Sequence, residues 1–270
     1  MTAPVFVFTP ETIEPADAVA SAGPGTILML TGPEARHAVT VKRLRMQERV
    51  DLVDGGGRRL VCEVTGAGVG GAKDRLAVRV LERIEEPTPP LRLTLVQALA
   101  KGGRDEQAVE TATEVGVELV LPWQSERCVS VWQGAKQAKG RQRWQATALQ
   151  AAKQARRARV PEIGEARDTR RLADWVGRTV RGGGVVLVLH EEAGTAISTA
   201  MESLGLPAPE EVPPVLAVVV GPEGGISPEE TAVLEAAGAM TVRLGPHVMR
   251  TASAGPVALA VLAHASGLWE

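Results

Sequence analysis

VVVGPEGGISPEE, residues 218 to 230, and RLGPHVMRTASAGPVALA, residues 243 to 260, decide the fold of this chain. Each continues a short apolar run, Leu216 to Val220 and Met240 to Leu244, that stops in a glycine-proline turn and then feeds a helix. Such runs predict a mostly parallel α/β sheet whose carboxyl-terminal strand ends carry a ligand crevice. In the first loop Ser227 and Glu230 have capping-box spacing, Pro228 takes the first helical position and Gly238 fits the helix end. Glycines between strand and cap let a ligand approach the backbone without meeting a Cβ. Neither loop spells a P-loop or G-x-G-x-x-G. A third apolar run, Val185 to His190, adds another strand. If the three strands are neighbours, Leu189-His190, Val220-Gly221 and Leu244-Gly245 end side by side.

Upstream, QALAKGGRDEQAVETATEVGVELVLPWQSERCV (97 to 129), WQATALQAAKQARRARVP (144 to 161) and VLVLHEE (186 to 192) complete an ordered series with the two loops. This series resembles the ribosomal RNA small subunit methyltransferase E family, the 16S rRNA uridine-N3 methyltransferases of the SPOUT class. The resemblance implies a C-terminal, trefoil-knotted α/β domain that binds S-adenosylmethionine, a PUA-like RNA-binding β-barrel before it, and a homodimer acting on 16S rRNA or the small ribosomal subunit. It places the methyl donor among Leu189, His190, Val220, Gly221, Gly225, Leu244, Gly245, Val248, Met249, Arg250 and Thr251. The family's usual R-T-E-T-A run reads Arg250-Thr251-Ala252-Ser253-Ala254 here, without the glutamate. Methylating uridine N3 means removing an imide proton while nitrogen attacks a sulfonium methyl in line, so positioning and a modest base suffice. Arg250, Arg127 and Glu223 are the catalytic candidates; His247 is as well explained as a bystander, and no residue is singled out as the base.

The chain's 270 residues allow about two domains at ~100 to 200 residues each. Cys62 and Cys128 are far apart with no C-x-x-C partner, so a disulfide scaffold or zinc ribbon is not expected, and a reduced cytoplasmic compartment fits best. No apolar stretch approaches the ~20 residues of a membrane span, and MTAPVFVFTPETIEP lacks the pattern of a signal peptide. The net charge of −2 hides a polarised distribution: from Arg127 through Pro161 there is no Asp or Glu, while nine Lys and Arg fall there. A solvated face explains such a run as well as a polyanion site does, but acid depletion over so long a stretch favours nucleic acid. The candidates for RNA contact are Arg141, Arg143, Lys153, Arg156, Arg157 and Arg159, with Arg36, Lys42, Arg43 and Arg45 from the N-terminal part.

Residues 1 to 86 read as a small β-rich unit, with strands at Val5 to Phe8, Thr26 to Leu30, Arg49 to Val53, Arg59 to Val64 and Leu76 to Ile84. A capping box at Thr31 and Glu34 opens a helix toward Leu44. Gly66 to Gly71 matches G-x-G-x-x-G letter for letter, but a strand pattern follows it, so it is a hairpin loop and not a dinucleotide site. The proline-rich segment 85 to 90 is the expected linker. From 91 to 270 the pattern gives a strand at Leu93 to Leu99, a helix at Arg104 to Val115, a strand at Val117 to Pro122 and a basic amphipathic helix at Trp144 to Arg159. Pro207 to Pro214 reads as an acidic surface loop, and Ala254 to Trp269 as a helix buried in the domain or against a second subunit.

Other chemistries fit poorly. The four histidines stand at no metal-ligand spacing, so no metal is expected, and G-x-S-x-G is absent. With no tyrosine in the chain, base stacking falls to Trp123, Trp132, Trp144, Phe6 or Phe8. The competing readings are a ribose 2′-O SPOUT enzyme, since the cofactor loops do not choose the acceptor atom, and a non-catalytic rRNA-binding assembly factor. A nicotinamide oxidoreductase is disfavoured by the missing helix after Gly71.

Overall fold

In a computed structural model the protein is described over residues 3–203 and 214–269. Most of the predicted acidic loop, residues 207–213, lies outside that range. Two compact units form: Met1–Thr88 together with Ala152–Val160, and Pro89–Ala151 together with Pro161–Glu270.

The first unit contains β1 (Val5–Val7), β2 (Ile13–Glu14), β3 (Ile27–Thr31), the short helix α1 (Gly32–Arg36), β4 (Arg49–Val53), β5 (Arg58–Ala67) and β6 (Arg75–Glu85). They make one six-stranded sheet in the order β1-β4-β5-β6-β3-β2, with β1 parallel to β4 and every other pair antiparallel. Leu60, Cys62 and Val64 alternate inward along β5 and join Phe6, Leu30, Leu52, Leu76 and Val78 in the core. Register shifts at Val61/Cys62 and Val64/Gly66 interrupt the long β5–β6 ladder, and irregularities of this kind bend a strand pair. Burial pushes the Cys62 thiol up to about 12, so it stays protonated and packs as a small apolar group. Gly66 and Ala67 end β5, Gly68 to Gly71 turn the chain, and the next long element is the strand β6, so the glycine motif is a hairpin loop.

The predicted capping box at Thr31 does not form. Thr31 is the N-cap of α1 but its side chain accepts no hydrogen bond. Glu34 is used elsewhere: its Oε2 accepts the Val7 backbone N–H at 3.1 Å, and its Oε1 receives Lys153 Nζ at 2.7 Å. The helix is also shorter than predicted, passing into a π-turn at His37–Val41. Lys153 belongs to the returning segment, whose Ala158 is fully buried against Val5 and Val53. Arg59 Nη2 donates to the Arg156 carbonyl at 2.7 Å, and the Val160 N–H donates to the Gly55 carbonyl at 3.0 Å. Two aromatic expectations also change: Phe6 and Phe8 are core residues here, not stacking platforms.

The second unit runs β7 (Arg92–Ala98), α2 (Arg104–Val115), β8 (Leu119–Gln124), α3 (Ala135–Gln154), β9 (Glu162–Ile163), β10 (Arg167–Asp168), α4 (Thr169–Arg181), β11 (Val185–Leu189), α5 (Ile197–Ser203), β12 (Val215–Val220), α6 (Pro228–Ala236), β13 (Met240–Val242) and α7 (Thr251–Ala265). All pairings are parallel, in the order β10-β8-β7-β12-β11-β13, with β9 beside β8. Both sheet faces are covered, which is why these strands are apolar throughout. Leu216, Val218 and Val220 of β12 point into one core with α2 and α7, while Ala217 and Val219 point into the other with Leu172 of α4 and Leu234 of α6. Gly255 lets α7 lie close on the sheet, since a Cβ there would stand 2.6 Å from Leu95 Cδ1.

Three details depart from the sequence reading. The basic helix is α3, beginning at Ala135 and ending at Gln154, not spanning 144 to 159. β13 stops at Val242, so Leu244 belongs to the loop. Trp123, Trp132 and Trp144 are buried, and the last two meet edge to face with centroids 5.1 Å apart, which removes them from base stacking. Among the described residues no helix is long and apolar enough to cross a membrane, and no group of three or more His, Cys, Asp or Glu could hold a metal ion.

Candidate functional site

Parallel strands bring β12, β11 and β13 together, so the three predicted strand ends are neighbours. A cavity of about 790 Å³ opens at those ends, within the range usual for small-molecule sites. Its lining includes Leu189, His190, Val220, Gly221, Gly225, Leu244, Gly245, Val248, Met249, Arg250 and Thr251, with Arg127 and Glu223. Arg104, Glu191, Glu192 and Arg243 line it too and were not foreseen. The Lys101-Gly102-Gly103 turn after β7, next to β12 in the sheet, was the available signal for Arg104.

The first loop is built as its sequence dictates. Ser227 Oγ accepts the Glu230 N–H at 3.2 Å, the Glu230 side chain returns to the Ser227 N–H, and Pro228 opens α6. Gly238, at φ +104°, follows the helix end in the left-handed region that favours glycine. Gly225, at φ +75°, closes a turn by donating to the Pro222 carbonyl at 2.9 Å. Glu223 pairs with Arg104 Nη1 at 2.9 Å. Burial alone would raise the Glu223 carboxyl, but backbone N–H groups and the Arg104 guanidinium outweigh it and hold the group below the usual carboxylate range. Arg127 Nη1 donates to the Gly224 carbonyl at 3.2 Å.

In the second loop Arg243 still bridges to the chain before α5, its N–H donating to the Thr195 carbonyl at 2.8 Å. Beyond it Val248 is 75% exposed, an unusual position for an apolar side chain at a cavity mouth. Arg250 is the N-cap of α7; its guanidinium has no hydrogen-bond or ion-pair partner among the described residues. Thr251 is nearly buried, and its hydroxyl donates to the Gly221 carbonyl at 2.8 Å while accepting Gln97 Nε2 at 2.9 Å. This tie joins the two loops through the end of β7. Gln97 Oε1 is buried without a partner. On the third strand end, His190 Nδ1 accepts the Glu192 N–H at 3.2 Å.

The proposed RNA contacts divide into two groups. Arg36, Lys42, Arg43, Arg45 and Arg156 stand exposed. Arg143 is exposed too, in a surface pair with Glu106, and the others have internal duties: Arg141 Nε donates to the Ile163 carbonyl at 2.8 Å, Lys153 pairs with Glu34, and Arg159 Nη2 donates to the Glu86 carbonyl at 3.0 Å. Arg157, half-buried, also lies in the returning segment.

Comparison with known proteins agrees with this architecture. Residues 87–263 match the model of an RNA methyltransferase domain, and residues 30–72 that of an RNA methyltransferase PUA domain. The ribosomal RNA small subunit methyltransferase E of Mycobacterium bovis is 44% identical over 247 residues, covering 91% of this chain and 89% of that protein. Its counterpart in Bacillus subtilis is 27% identical, covering 88% and 90%. A solved structure of the Neisseria gonorrhoeae ribosomal RNA small subunit methyltransferase E, bound to S-adenosyl methionine, is 25% identical with a TM-score of 0.78, covering 97% of this chain and 98% of that one. Full-length coverage at such identity, on a fold with its cavity at the two glycine-proline loops, places the chain in the ribosomal RNA small subunit methyltransferase E family.

Proposed function

We propose that the protein transfers the methyl group of S-adenosylmethionine to N3 of a uridine in 16S rRNA of the small ribosomal subunit. The observation that carries this reading is the cavity closed by the two loops whose sequences first suggested it. The cavity fits the methyl donor: apolar Leu189, Leu244 and Met249 suit an adenine and a methylene chain, and a Cβ built on Gly245 would meet nothing within 4 Å, so the backbone there is open to a ligand. When bound, S-adenosylmethionine supplies an electrophilic methyl on its sulfonium. Arg250 and Arg127 would stabilise negative charge developing on the uridine imide, or clamp its phosphate. Glu223, held ionised by Arg104, is a weak base and serves better to fix the loop. N3 would give its imide proton to water and take the methyl as the C–S bond breaks, so that the new C–N bond replaces it.

RNA would be held by the exposed Arg36, Lys42, Arg43 and Arg45 of the PUA-like unit, together with Arg156. The knotted path of the family's catalytic domain belongs to the same reading. So does a homodimer: α7 leaves Val257 38% and Val261 40% exposed, a face that a second copy would cover. Such an enzyme would work in the cytoplasm. Nucleoside mass spectrometry of 16S rRNA from cells lacking the protein decides the matter. Loss of N3-methyluridine supports the reading, loss of a 2′-O-methyl nucleoside points to the ribose, and unchanged RNA leaves only a binding role.

A further inference from the structure

The carboxylate of Glu230 does more than cap a helix. It is 5% exposed, and its Oε1 accepts the Glu126 backbone N–H at 2.9 Å and the Thr169 hydroxyl at 2.6 Å. Thr169 in turn accepts the indole N–H of Trp123 at 3.2 Å. The bond that completes the capping box, from the Ser227 N–H to Oε2, is the longest of the carboxylate's contacts at 3.4 Å. Hydrogen bonds to a charged acceptor are about twice as strong as neutral ones. The carboxylate therefore serves mainly partners outside its own helix, the start of α4 at Thr169 and a strap of chain at Glu126.

That strap runs from 125 to 132. Its far end is fixed where Trp132 packs on Trp144 and donates its backbone N–H to Gln124 Oε1 at 2.9 Å. Gly140 leaves room for this, since a Cβ there would stand 2.3 Å from the Trp132 ring. At the near end Glu230 engages Glu126, Cys128 turns back to the Ser125 and Trp123 carbonyls, and between them stands Arg127, whose guanidinium reaches the Gly224 carbonyl in the cavity wall. We infer that Glu230 is the positioning residue for Arg127 in methyl transfer: by holding the Glu126 N–H it sets where the guanidinium meets the reacting base. The inference rests on the proposed function.

Glu230→Gln in the full chain tests it, alone and combined with Arg127→Ala. Methyl transfer to small ribosomal subunits gives kcat and KM, and hydrogen exchange of the protein alone reads the strap. Exchange at the Glu126 amide should quicken. With misplacement of a reacting group costing up to ~10²-fold, kcat should fall by about 10-fold to 100-fold. In the Arg127→Ala background the same change should alter kcat by less than about twofold, because the residue Glu230 acts through is already gone. Thr169→Val, which removes one donor and keeps the carboxylate, guards against loss of folding; it should show a smaller loss with the same non-additivity. Unchanged exchange, normal kcat, or an equal fractional loss in both backgrounds overturns the inference. A wild-type protein that methylates no subunit overturns the proposed function, and is distinguishable because the exchange comparison still reports whether Glu230 holds the strap.

Discussion

Arg250 sits at the N-cap of α7 on the cavity wall, and its guanidinium has no partner among the described residues. A charge held ready in this way suits a group reserved for a ligand. Arg250→Lys should keep the methyl-donor affinity and the melting temperature while losing about 10²-fold in transfer, the scale of one missing electrostatic donor. Ser253→Ala, one exposed turn further on, is the comparison and should leave transfer intact; equal losses in both variants would return Arg250 to a structural role. The two loop glycines should behave differently. Gly245 has open space, so Gly245→Leu should fold normally and abolish methyl-donor binding in calorimetry. At Gly221 a Cβ would stand 2.6 Å from Ile226 Cγ1, so Gly221→Leu should lose stability first. Both glycines were legible in the sequence as turn residues after apolar strands, and both line the cavity. What separates them was not, because Ile226 folds back on its own loop. The Thr251 hydroxyl was equally hidden: its tie to Gly221 and Gln97 appears only once β7 lies next to β12.

Elements were easiest to read where local chemistry and burial agree. α2 begins and ends where predicted, because Gly103 and Gly116 take left-handed conformations at its two ends. The α6 capping box is present for the same reason, and Ser227→Ala should cost about 1 kcal/mol in denaturant unfolding, the usual worth of an N-cap. An unchanged midpoint would mean that Glu230 carries the helix start alone. Where a side chain had a better offer from outside its element, the local rule failed. Glu34 has the spacing to cap α1, yet it serves Val7 and Lys153, and nothing in five residues of sequence could announce partners that far away. The basic helix was misplaced for a related reason. Its buried face begins with Gly140 and Trp144 under Trp132, whereas the amphipathic pattern of Ala and Leu against Lys and Arg marked the stretch from 144 to 159.

Charge along the whole chain told of a basic stretch but not how its charges are used. Lys153, Arg141 and Arg159 are engaged internally, so counting them as phosphate contacts overstates the surface, whereas Arg143 stays exposed in its pair with Glu106. If about six exposed cations meet phosphates, RNA affinity should fall by ~10³ between 50 and 200 mM salt. Replacing Arg36, Lys42, Arg43 and Arg45 by Ala should flatten that dependence more than replacing Arg156, Arg157 and Arg159, as titrations at several salt concentrations would reveal; the reverse order would move the RNA site to the returning segment. Lys153→Met should cost about 2 kcal/mol of stability, the scale of a lost hydrogen bond to a charged group, with the salt slope unchanged.

That returning segment also governs when the first unit can be finished. Met1–Thr88 lacks Ala158 under Val5 and Val53, and it lacks Lys153 for Glu34. A chain emerging from the ribosome therefore passes its linker with the N-terminal unit still missing a wall, and must make most of another unit's opening elements before the wall arrives. Residues 1–88 produced alone should exchange their amide protons faster than the same residues in the full chain, and adding a peptide of residues 152–160 should restore part of the protection. Transplanting this unit onto another protein calls for both pieces, because its fold is complete only at Val160.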